Sequence, residues 1–228
     1  MHVVLSVGGS SVIPDGKPDM EFLKSLAKMI KNSDSSFGIL TGGGPIARLY
    51  ANAARSLGAS EYEADSIAIT STRQNAQLVI AALAGAGVDV HRKALSDFDE
   101  AKIPAHETKA VVMGGTIPGI TTDTDSVLLA EAIGARRLVN ISNVDAIYDS
   151  DPGKNKGAKR FSKMAYEELI ALASASDKRM AGTNFVFDLL ACKLIARSKI
   201  QTHFVSSKSL SDVESAIEGR KHAGTVVG

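Results

Sequence analysis

Three short segments in which glycines stand together are the residues of this chain best suited to bind an anion. They cover residues 8–10, 42–44 and 114–116, and each follows an apolar run and precedes a predicted helix. Glycine has no Cβ, so backbone N–H groups can approach a ligand closely, and a helix start adds unpaired N–H donors. These first, second and third glycine segments favour a phosphate-rich site, although tight turns between strand and helix are the commoner use of glycine.

An arginine lies one turn beyond the second glycine segment. Pro45 directly follows Gly44 and suits the first position of a helix, where its missing N–H costs nothing. Arg48 then lies within reach of an anion held by the segment, to which its guanidinium could donate two parallel hydrogen bonds. Taken alone, Arg48 could equally be a surface residue of an amphipathic helix, but the adjacent glycines favour a functional role.

Hydroxyl and carboxylate side chains follow the third glycine segment. Thr121 and Thr122 precede Asp123 and Asp125 at the start of a predicted helix. Capping of that helix would account for one of these residues, whereas a second phosphate pocket accounts for more of the segment. Asp65, in a predicted long helix, could accept hydrogen bonds from a ribose or could simply face water. Periodicity does not decide between the two.

Several other kinds of site are excluded. The five histidines lack the HxxxH and HExxH spacings, and neither GxSxG nor GxxxxGK[ST] occurs. A structural zinc, a serine hydrolase and a P-loop fold are therefore not expected. Cys192 stands in the apolar run DLLACKLIA, which predicts a packed core thiol. A single cysteine excludes a disulfide framework and fits a reducing cytoplasm.

Size and charge limit the partners. The chain has 228 residues, with 26 Lys and Arg against 25 Asp and Glu and a net charge of +1, so no basic surface for nucleic acid is expected. No run approaches the roughly 20 apolar residues of a membrane helix, and the N-terminal residues read as a strand rather than a signal peptide. We therefore expect a single cytoplasmic domain with no nucleic-acid or membrane partner.

The order of the apolar runs predicts an α/β fold. Runs rich in Val, Ile and Leu alternate with helical patterns, which is typical of a mainly parallel sheet covered by helices on both faces. The predicted strands are His2–Val7, 37–40, Ala110–Met113, 138–141 and 202–205, and the terminal GTVVG is expected at a sheet edge. The predicted helices include 62–84, 123–133, 166–173 and 188–197. Residues 143–164 have no lasting periodicity and are predicted to form a long mobile loop.

Six motifs, in this order and spacing, resemble those of the amino acid kinase superfamily, and most closely its archaeal-type uridylate (UMP) kinases. They are VGGS at 7–10, GGGPIARLY at 42–50, RQNA at 73–76, GGTIPGITTD at 114–123, SNVDAIYDSDP at 142–152 and VFDLLACKLIARSKI at 186–200. The resemblance implies a three-layer α/β/α sandwich around a mainly parallel central sheet, with residues 1–228 as one domain. Its N-terminal half would hold the acceptor UMP, and its C-terminal half ATP.

The resemblance also implies which residues form each site. The UMP pocket would be built by Gly43, Asp65, Thr116, Ile117, Pro118, Gly119, Ile120, Thr121 and Thr122. The ATP side would use Gly9, Ser10, Gly44, Arg48, Ser142, Tyr148 and Asp151. Asp123 and Asp188 match acidic positions that organise the active site, and together with Arg48 they are the expected catalytic residues.

The implied reaction is MgATP + UMP giving MgADP + UDP, a step of pyrimidine nucleotide (CTP) biosynthesis. Mg²⁺ would be carried by ATP, with help from Asp188, rather than by a dedicated protein site. The family is commonly hexameric, so a homohexamer built as a trimer of dimers is expected. The alternatives are a kinase of acetylglutamate, carbamate or isopentenyl phosphate, or a nucleotide-binding or metallate-storage protein of the same fold. Isopentenyl phosphate kinases would place a histidine near the second glycine segment, where none occurs.

The chain departs from the superfamily pattern at two positions. Many members carry a lysine in the first glycine loop, which here reads VGGSSVIP, and bacterial relatives carry another at the position of Phe185. Archaeal uridylate kinases also lack these lysines, so the departure fits that subfamily. The remaining candidates for neutralising phosphate charge are Arg48, Lys178 and the cations of the 154–160 loop.

Overall fold

The computed structural model describes residues 1–150, 152, 155–177 and 187–228. In this part of the chain, seven strands form one sheet in the order β3-β2-β1-β4-β8-β9-β7, and β5 pairs with β6 separately. The strands are β1 (His2–Val7), β2 (Ser36–Thr41), β3 (Ala110–Met113), β4 (Arg137–Ser142), β5 (Ile147–Tyr148), β6 (Arg160–Phe161), β7 (Lys163–Met164), β8 (Gln201–Ser206) and β9 (Thr225–Val227).

The core of the sheet is parallel, as predicted. Strands β3, β2, β1, β4 and β8 pair in parallel, and all five predicted strands are confirmed, three of them extended by one residue at each end. The prediction that GTVVG forms a sheet edge is wrong. Strand β9 lies between β8, to which it is antiparallel, and β7, so the short β7 covers its outer side.

Helices cover both faces of the sheet. They are α1 (Gly9–Val12), α2 (Met20–Asn32), α3 (Gly44–Ser56), α4 (Glu61–Gly85), α5 (Phe98–Glu107), α6 (Thr122–Ala132), α7 (Tyr166–Asp177), α8 (Leu189–Ser198) and α9 (Leu210–Glu218). Alternate residues of β1 face opposite cores, since Val3 and Leu5 pack with α2, α4 and α9, whereas Val4 packs with α5 to α8. The predicted three-layer α/β/α sandwich is confirmed.

Helix α4 is long because its sequence lacks breakers and its start is capped on both sides. The Ser60 hydroxyl accepts from the N–H of Glu63, and the Glu63 carboxylate accepts from the N–H of Ser60. The predicted helix over 62–84 is thereby confirmed within one residue at each end. Its middle turns pass the carboxyl edge of the sheet, where Ala68, Ile69 and Thr72 line a cavity.

Two expectations about connecting segments fail. The third glycine segment does not lead directly into a helix, because α6 begins only at Thr122, after an intervening loop. The stretch 143–164 is not free of regular structure, because it contains β5, β6 and β7, and β5 and β6 form an antiparallel pair. Among the described residues, no helix combines the length and apolar character needed to cross a bilayer.

Candidate active site

The carboxyl ends of the central strands meet at a cavity of about 520 Å³. Strand β2 lies on one side of β1 and β4 on the other, so the chain reverses its direction across the sheet between β1 and β4. Open α/β sheets bind ligands at such a switch point. The predicted site residues that line the cavity are Gly9, Ser10, Gly43, Gly44, Arg48, Asp65, Ile120, Thr121, Thr122, Asp123 and Ser142.

The first and second glycine segments pack directly against each other. A Cβ on Gly9 would lie 2.1 Å from the nitrogen of Gly44, and a Cβ on Gly42 would lie 2.7 Å from the nitrogen of Gly9. Gly44 also has a φ of 65°, in the left-handed region that favours glycine. These glycines are therefore required for close backbone approach, whatever the cavity binds.

The same two segments leave backbone donors available at the cavity. The N–H groups of Gly9, Ser10, Gly43 and Gly44 donate to no residue in the described part of the chain, whereas those of Gly8 and Gly42 donate within the sheet. Free N–H groups at helix starts attract anions. Pro45 is the second residue of α3 rather than the first. This geometry fits phosphate binding by the first and second glycine segments.

The third glycine segment differs, because each of its N–H groups already has a protein partner. Gly114 donates to the Leu95 carbonyl at 3.2 Å, Gly115 to the Thr72 hydroxyl at 2.6 Å and Thr116 to Asp125 at 3.1 Å. A Cβ on Gly114 would lie 2.8 Å from the Arg73 backbone. The glycine here allows β3 to approach α4, so the expectation of a third phosphate-binding segment is wrong for its own N–H groups.

Arg48 is the sole lysine or arginine among the described residues that line the cavity. It lies on α3, one turn beyond Gly44, and its side chain is exposed. It has no ion-pair partner among the described carboxylates. The guanidinium is therefore available to an anionic ligand, as the sequence predicts.

Asp123 lines the cavity on the side of the central strands β1 and β4. Ser6 on β1 and Asn140 on β4 are paired in register, and both donate to Oδ1 of Asp123, at 3.4 and 3.2 Å. Burial and the negative charge of Asp188 raise the pKa of Asp123 to about 7, although the two hydrogen bonds act in the opposite direction. Asp123 is therefore a half-buried carboxyl that titrates near neutral pH.

Asp188 joins α8 to α6 at the edge of the cavity. It caps α8 by accepting from the N–H of Ala191 at 2.9 Å, and it accepts from the hydroxyls of Thr121 and Thr124. Asp188 does not line the cavity itself. In this structure it fixes the start of α6, which carries Thr122 and Asp123 into the site.

The paired carboxylates suit a cation carried by a ligand. Burial and the charge of Asp188 disfavour ionisation of Asp123, and a divalent ion near Asp123 would offset that penalty. Asn140 Oδ1 and Ser11 Oγ are buried beside the cavity and have no hydrogen-bond partner among the described residues. Among the described residues, no group of three or more His, Cys, Asp or Glu could hold a metal ion alone. The residues present fit an ion that arrives with phosphate ligands.

The loop between β3 and α6 contributes to the cavity through its second half. Ile120 and the threonines after it line the cavity, whereas Thr116, Ile117, Pro118 and Gly119 do not. Asp65 Oδ2 accepts from the N–H of Gly119 at 2.9 Å, so this carboxylate holds the loop as well as facing the cavity.

The remaining predicted residues lie apart. Tyr148 is outside the cavity lining, and its hydroxyl donates to Asp145 at 3.1 Å. Burial and the Asp145 carboxylate raise the pKa of Tyr148. Arg160, a loop cation, donates to the Ala223 carbonyl and faces Asp145 at 3.5 Å. Asp151, Lys154, Lys178 and Phe185 lie outside the described residues.

Comparison with known proteins decides the family. The model of the amino acid kinase family matches residues 1–206 of the chain. The protein belongs to the amino acid kinase family. A curated relative named uridylate kinase, from Thermococcus gammatolerans, is 40% identical over 229 aligned positions, which cover 100% of this chain and 99% of the relative.

Solved structures of amino acid kinases have the same fold. A uridylate kinase from Archaeoglobus fulgidus superposes with a TM-score of 0.87 at 38% identity, covering 100% of both chains. A UMP kinase from Bacillus anthracis superposes with a TM-score of 0.82 at 21% identity, covering 100% of this chain and 95% of that one. The second likeness concerns the fold alone.

Several residues of this amino acid kinase site are not predicted by the sequence motifs. Ser6 and Asn140 are polar residues close to the carboxyl ends of otherwise apolar strands, which is a readable signal. Thr72, Arg73 and Asn75 cluster on α4, and Asn75 donates to the Gly42 carbonyl at 2.7 Å. The RQNA motif marks this turn, but its contacts with the first half of the sheet depend on tertiary packing.

Proposed function

We propose that this protein is a uridylate kinase that transfers the γ-phosphoryl group of ATP to UMP. Full-length similarity to archaeal proteins of that name supports the reaction. The observation that carries the proposal structurally is a single cavity that contains the free N–H groups of two glycine segments, Arg48 and the loop before α6. We place this reaction in the cytoplasm, in pyrimidine nucleotide synthesis.

On the ATP side, the first and second glycine segments would receive the phosphates. Those of their N–H groups that have no partner among the described residues belong to residues that line the cavity. Ser10, Arg48 and Ser142 line the same cavity, and Arg48 adds the fixed positive charge. Preorganised donors of this kind stabilise charge that develops on a transferring phosphoryl group. Tyr148 and Asp151 remain proposed contributors to the nucleoside pocket.

On the acceptor side, Gly43, Asp65 and the loop over 116–122 would hold UMP. Asp65 uses one carboxylate oxygen for Gly119, which leaves the other available to ribose hydroxyls. Thr121 and Thr122 present the start of α6 to the cavity, where an α-phosphate would be favoured. A phosphate oxygen of UMP is already an anionic nucleophile, so in-line attack needs positioning rather than a general base.

Mg²⁺ would enter with ATP. When bound, the ion would supply positive charge that offsets the negative charge of the transition state. Asp123 and Asp188 would assist on the protein side, Asp123 from the cavity and Asp188 by fixing the helix start that presents it. We expect ionised Asp123 to be favoured when the ion is present, because opposite charge lowers a carboxyl pKa.

An acceptor panel tests this proposal. Purified protein is incubated with MgATP and, separately, UMP, CMP, AMP, GMP, acetylglutamate, carbamate or isopentenyl phosphate, and ADP release is measured against a reaction without acceptor. We expect UMP to be strongly preferred. Release with a small acid alone would indicate another amino acid kinase, and absence of release with every acceptor would defeat the kinase proposal.

We also propose a homohexamer, built as a trimer of dimers. The large apolar residues Leu49, Tyr50, Leu57 and Tyr62 are 57–89% exposed around α3 and the start of α4, and we call them the α3–α4 patch. Exposed apolar clusters of this kind are typical of subunit contacts.

The α3–α4 patch predicts that a charged residue placed there will disrupt the hexamer. Leu49→Glu should reduce the mass measured by multi-angle light scattering, because a carboxylate buried in an interface is strongly disfavoured. Ile103→Glu, at a position of similar exposure on α5, is the control that should leave the mass unchanged. A monomeric wild-type protein would contradict the hexamer.

A further inference from the structure

The peptide between Gly115 and Thr116 is held on both sides by side chains of opposite charge. Arg73 on α4 donates through Nε to the Gly115 carbonyl at 3.2 Å and through Nη2 to the Thr116 carbonyl at 3.1 Å. On the other side, Asp125 on α6 accepts from the Thr116 N–H at 3.1 Å and from the Thr116 hydroxyl at 2.7 Å. Thr116 therefore has every polar group of its backbone and side chain engaged by protein.

Because these groups are buried, breaking their hydrogen bonds costs more free energy than it would at the surface. Asp125 is 1% exposed, and Thr72, which accepts from the Gly115 N–H, is 5% exposed. A buried carboxylate that loses a donor carries an uncompensated polar atom, and that penalty is larger for charged groups than for neutral ones. The base of the β3–α6 loop is consequently rigid, since any shift of Thr116 breaks bonds to two helices.

The far end of the same loop is held more lightly. Gly119 has a φ of 88° and a single bond from its N–H to Asp65, and Ile117 is 60% exposed. Ile120 and the threonines that reach the cavity follow within a few residues. Their position thus depends on the fixed base at Thr116, although Thr116 does not line the cavity.

We propose that Arg73 and Asp125 are positioning residues, which act through Thr116 to fix the β3–α6 loop in the position needed for phosphoryl transfer to UMP. This inference rests on the proposed uridylate kinase function. It assigns Thr116 a positioning role, rather than the direct substrate contact that the sequence resemblance implies. Neither charged side chain needs to touch UMP. The described side-chain hydrogen bonds of Arg73 and Asp125 go to Gly115 and Thr116 and not to the first or second glycine segment, so we expect ATP binding to depend less on these two side chains.

Substitution of Thr116 separates positioning from general stability. Thr116→Val removes the hydroxyl and keeps the shape, whereas Thr116→Ser keeps the hydroxyl bonded to Asp125. Losing a charge-assisted hydrogen bond lets the loop leave the competent position, so we expect KM for UMP to rise about tenfold or more in Thr116→Val. We expect KM for ATP to stay within about twofold, and Thr116→Ser to resemble the wild type.

Two further variants control the interpretation. Thr202→Val removes a buried hydroxyl on β8 that donates to the Ile200 carbonyl, far from the loop, and should leave both KM values unchanged. Asp125→Ala removes the acceptor of the Thr116 hydroxyl and should itself raise KM for UMP, so adding Thr116→Val to it should cost little more, because that bond is already lost. Equal increases in both KM values, or a lowered melting temperature with no change in KM, would overturn the positioning role.

Hydrogen–deuterium exchange tests the clamp without relying on activity. In substrate-free protein, amides of residues 115–121 should exchange faster in Thr116→Val than in Thr116→Ser, because the loop base opens more often. Unchanged exchange there would refute the clamp even if UMP proves to be the acceptor. Faster exchange in a protein that does not phosphorylate UMP would refute the proposed function and the kinetic role together, and leave only the structural contact.

Discussion

Arg48 is the one lysine or arginine among the described residues that line the cavity. A guanidinium can donate two hydrogen bonds to a phosphate, and its positive charge does not depend on pH in the physiological range. The first glycine loop, VGGSSVIP, contains no lysine. We therefore expect neutralisation of the negative charge on the transferring phosphoryl group to depend strongly on Arg48.

Arg48→Ala should lower kcat by roughly a hundredfold to a thousandfold, the usual cost of removing one preorganised donor from a transition state. Steady-state ADP release with UMP measures the effect. The fold should be unaffected, because Arg48 is exposed.

Arg55→Ala is the matched control for this change. Arg55 lies on the same helix but forms an exposed ion pair with Glu61 at 2.7 Å and does not line the cavity. Its loss should leave kcat unchanged, since exposed pairs contribute little. Near wild-type turnover of Arg48→Ala would remove Arg48 from the mechanism.

At the scale of the element, the glycine segments show two different uses of glycine. Gly9 and Gly44 line the cavity and allow two strand-to-helix turns to pack directly against each other, while their N–H groups have no partner among the described residues. Gly114 instead allows β3 to pack closely against the α4 backbone, and the N–H groups of its segment donate hydrogen bonds to other residues of the protein. Similar sequences thus serve binding in one case and packing in the other.

Gly9→Ala should destabilise the protein by several kcal/mol or prevent folding. The new methyl group would lie 2.1 Å from the Gly44 nitrogen, and the obstacle is backbone that cannot rotate away. Chemical denaturation followed by circular dichroism measures the free energy of unfolding.

Gly85→Ala serves as the comparison for this substitution. Gly85 ends α4, and a Cβ there meets no atom within 4 Å. Alanine should be neutral or stabilise by about 0.4–1 kcal/mol, because it restricts the unfolded chain. A Gly9→Ala protein as stable as Gly85→Ala would show that the two segments do not pack as closely as described.

At the scale of the whole molecule, stability should depend on a histidine pair formed by the buried His203 and the half-buried His222. The Gly224 N–H donates to Nδ1 of His222 at 3.0 Å, so His222 Nε2 must donate to Nδ1 of His203 at 2.8 Å. His203 Nε2 in turn donates to Gln201. Every nitrogen of the pair has a partner only while both rings are neutral, and a proton on either ring would set two donors against each other.

The pair predicts how unfolding depends on pH. Burial, then the neighbouring His222, lowers the pKa of His203 from 6.5 to about 4. The unfolded state therefore binds more protons between these values, and the contribution of His203 is fully present above pH 6.5 and lost as the pH falls toward 4. At about 1.4 kcal/mol per pKa unit, the complete loss is roughly 3 kcal/mol.

A variant is needed to isolate the effect of His203, because Asp123 changes the unfolding free energy in the opposite direction over a similar pH range. Its raised pKa means that the folded state loses stability as the pH rises from about 3.8 to 7. The measured quantity is the difference in unfolding free energy between wild type and His203→Gln at several pH values. That difference should shrink or reverse as the pH falls, and a constant difference would contradict the assignment to His203.

Local sequence patterns determined much of this protein. Runs of Val, Ile and Leu define the five parallel strands, since a strand buried on both faces has few other acceptable residues. The capped, unbroken pattern before Gly85 defines α4, and the glycines with Arg48 mark the end of the cavity where we propose that phosphate binds. These features depend on residues close together in the chain, so the sequence alone could reveal them.

Only the tertiary structure decided which polar groups remain free. The third glycine segment resembles the other two in sequence, but Leu95, Thr72 and Asp125 occupy its donors. The pKa of Asp123 is raised to about 7 because packing buries the carboxyl and, secondly, because the charge of Asp188, 65 positions away in the chain, lies near it. A hydrogen bond or a charge acts through space, and its partner is set by packing between distant segments. Packing of that kind leaves no periodic trace in the sequence.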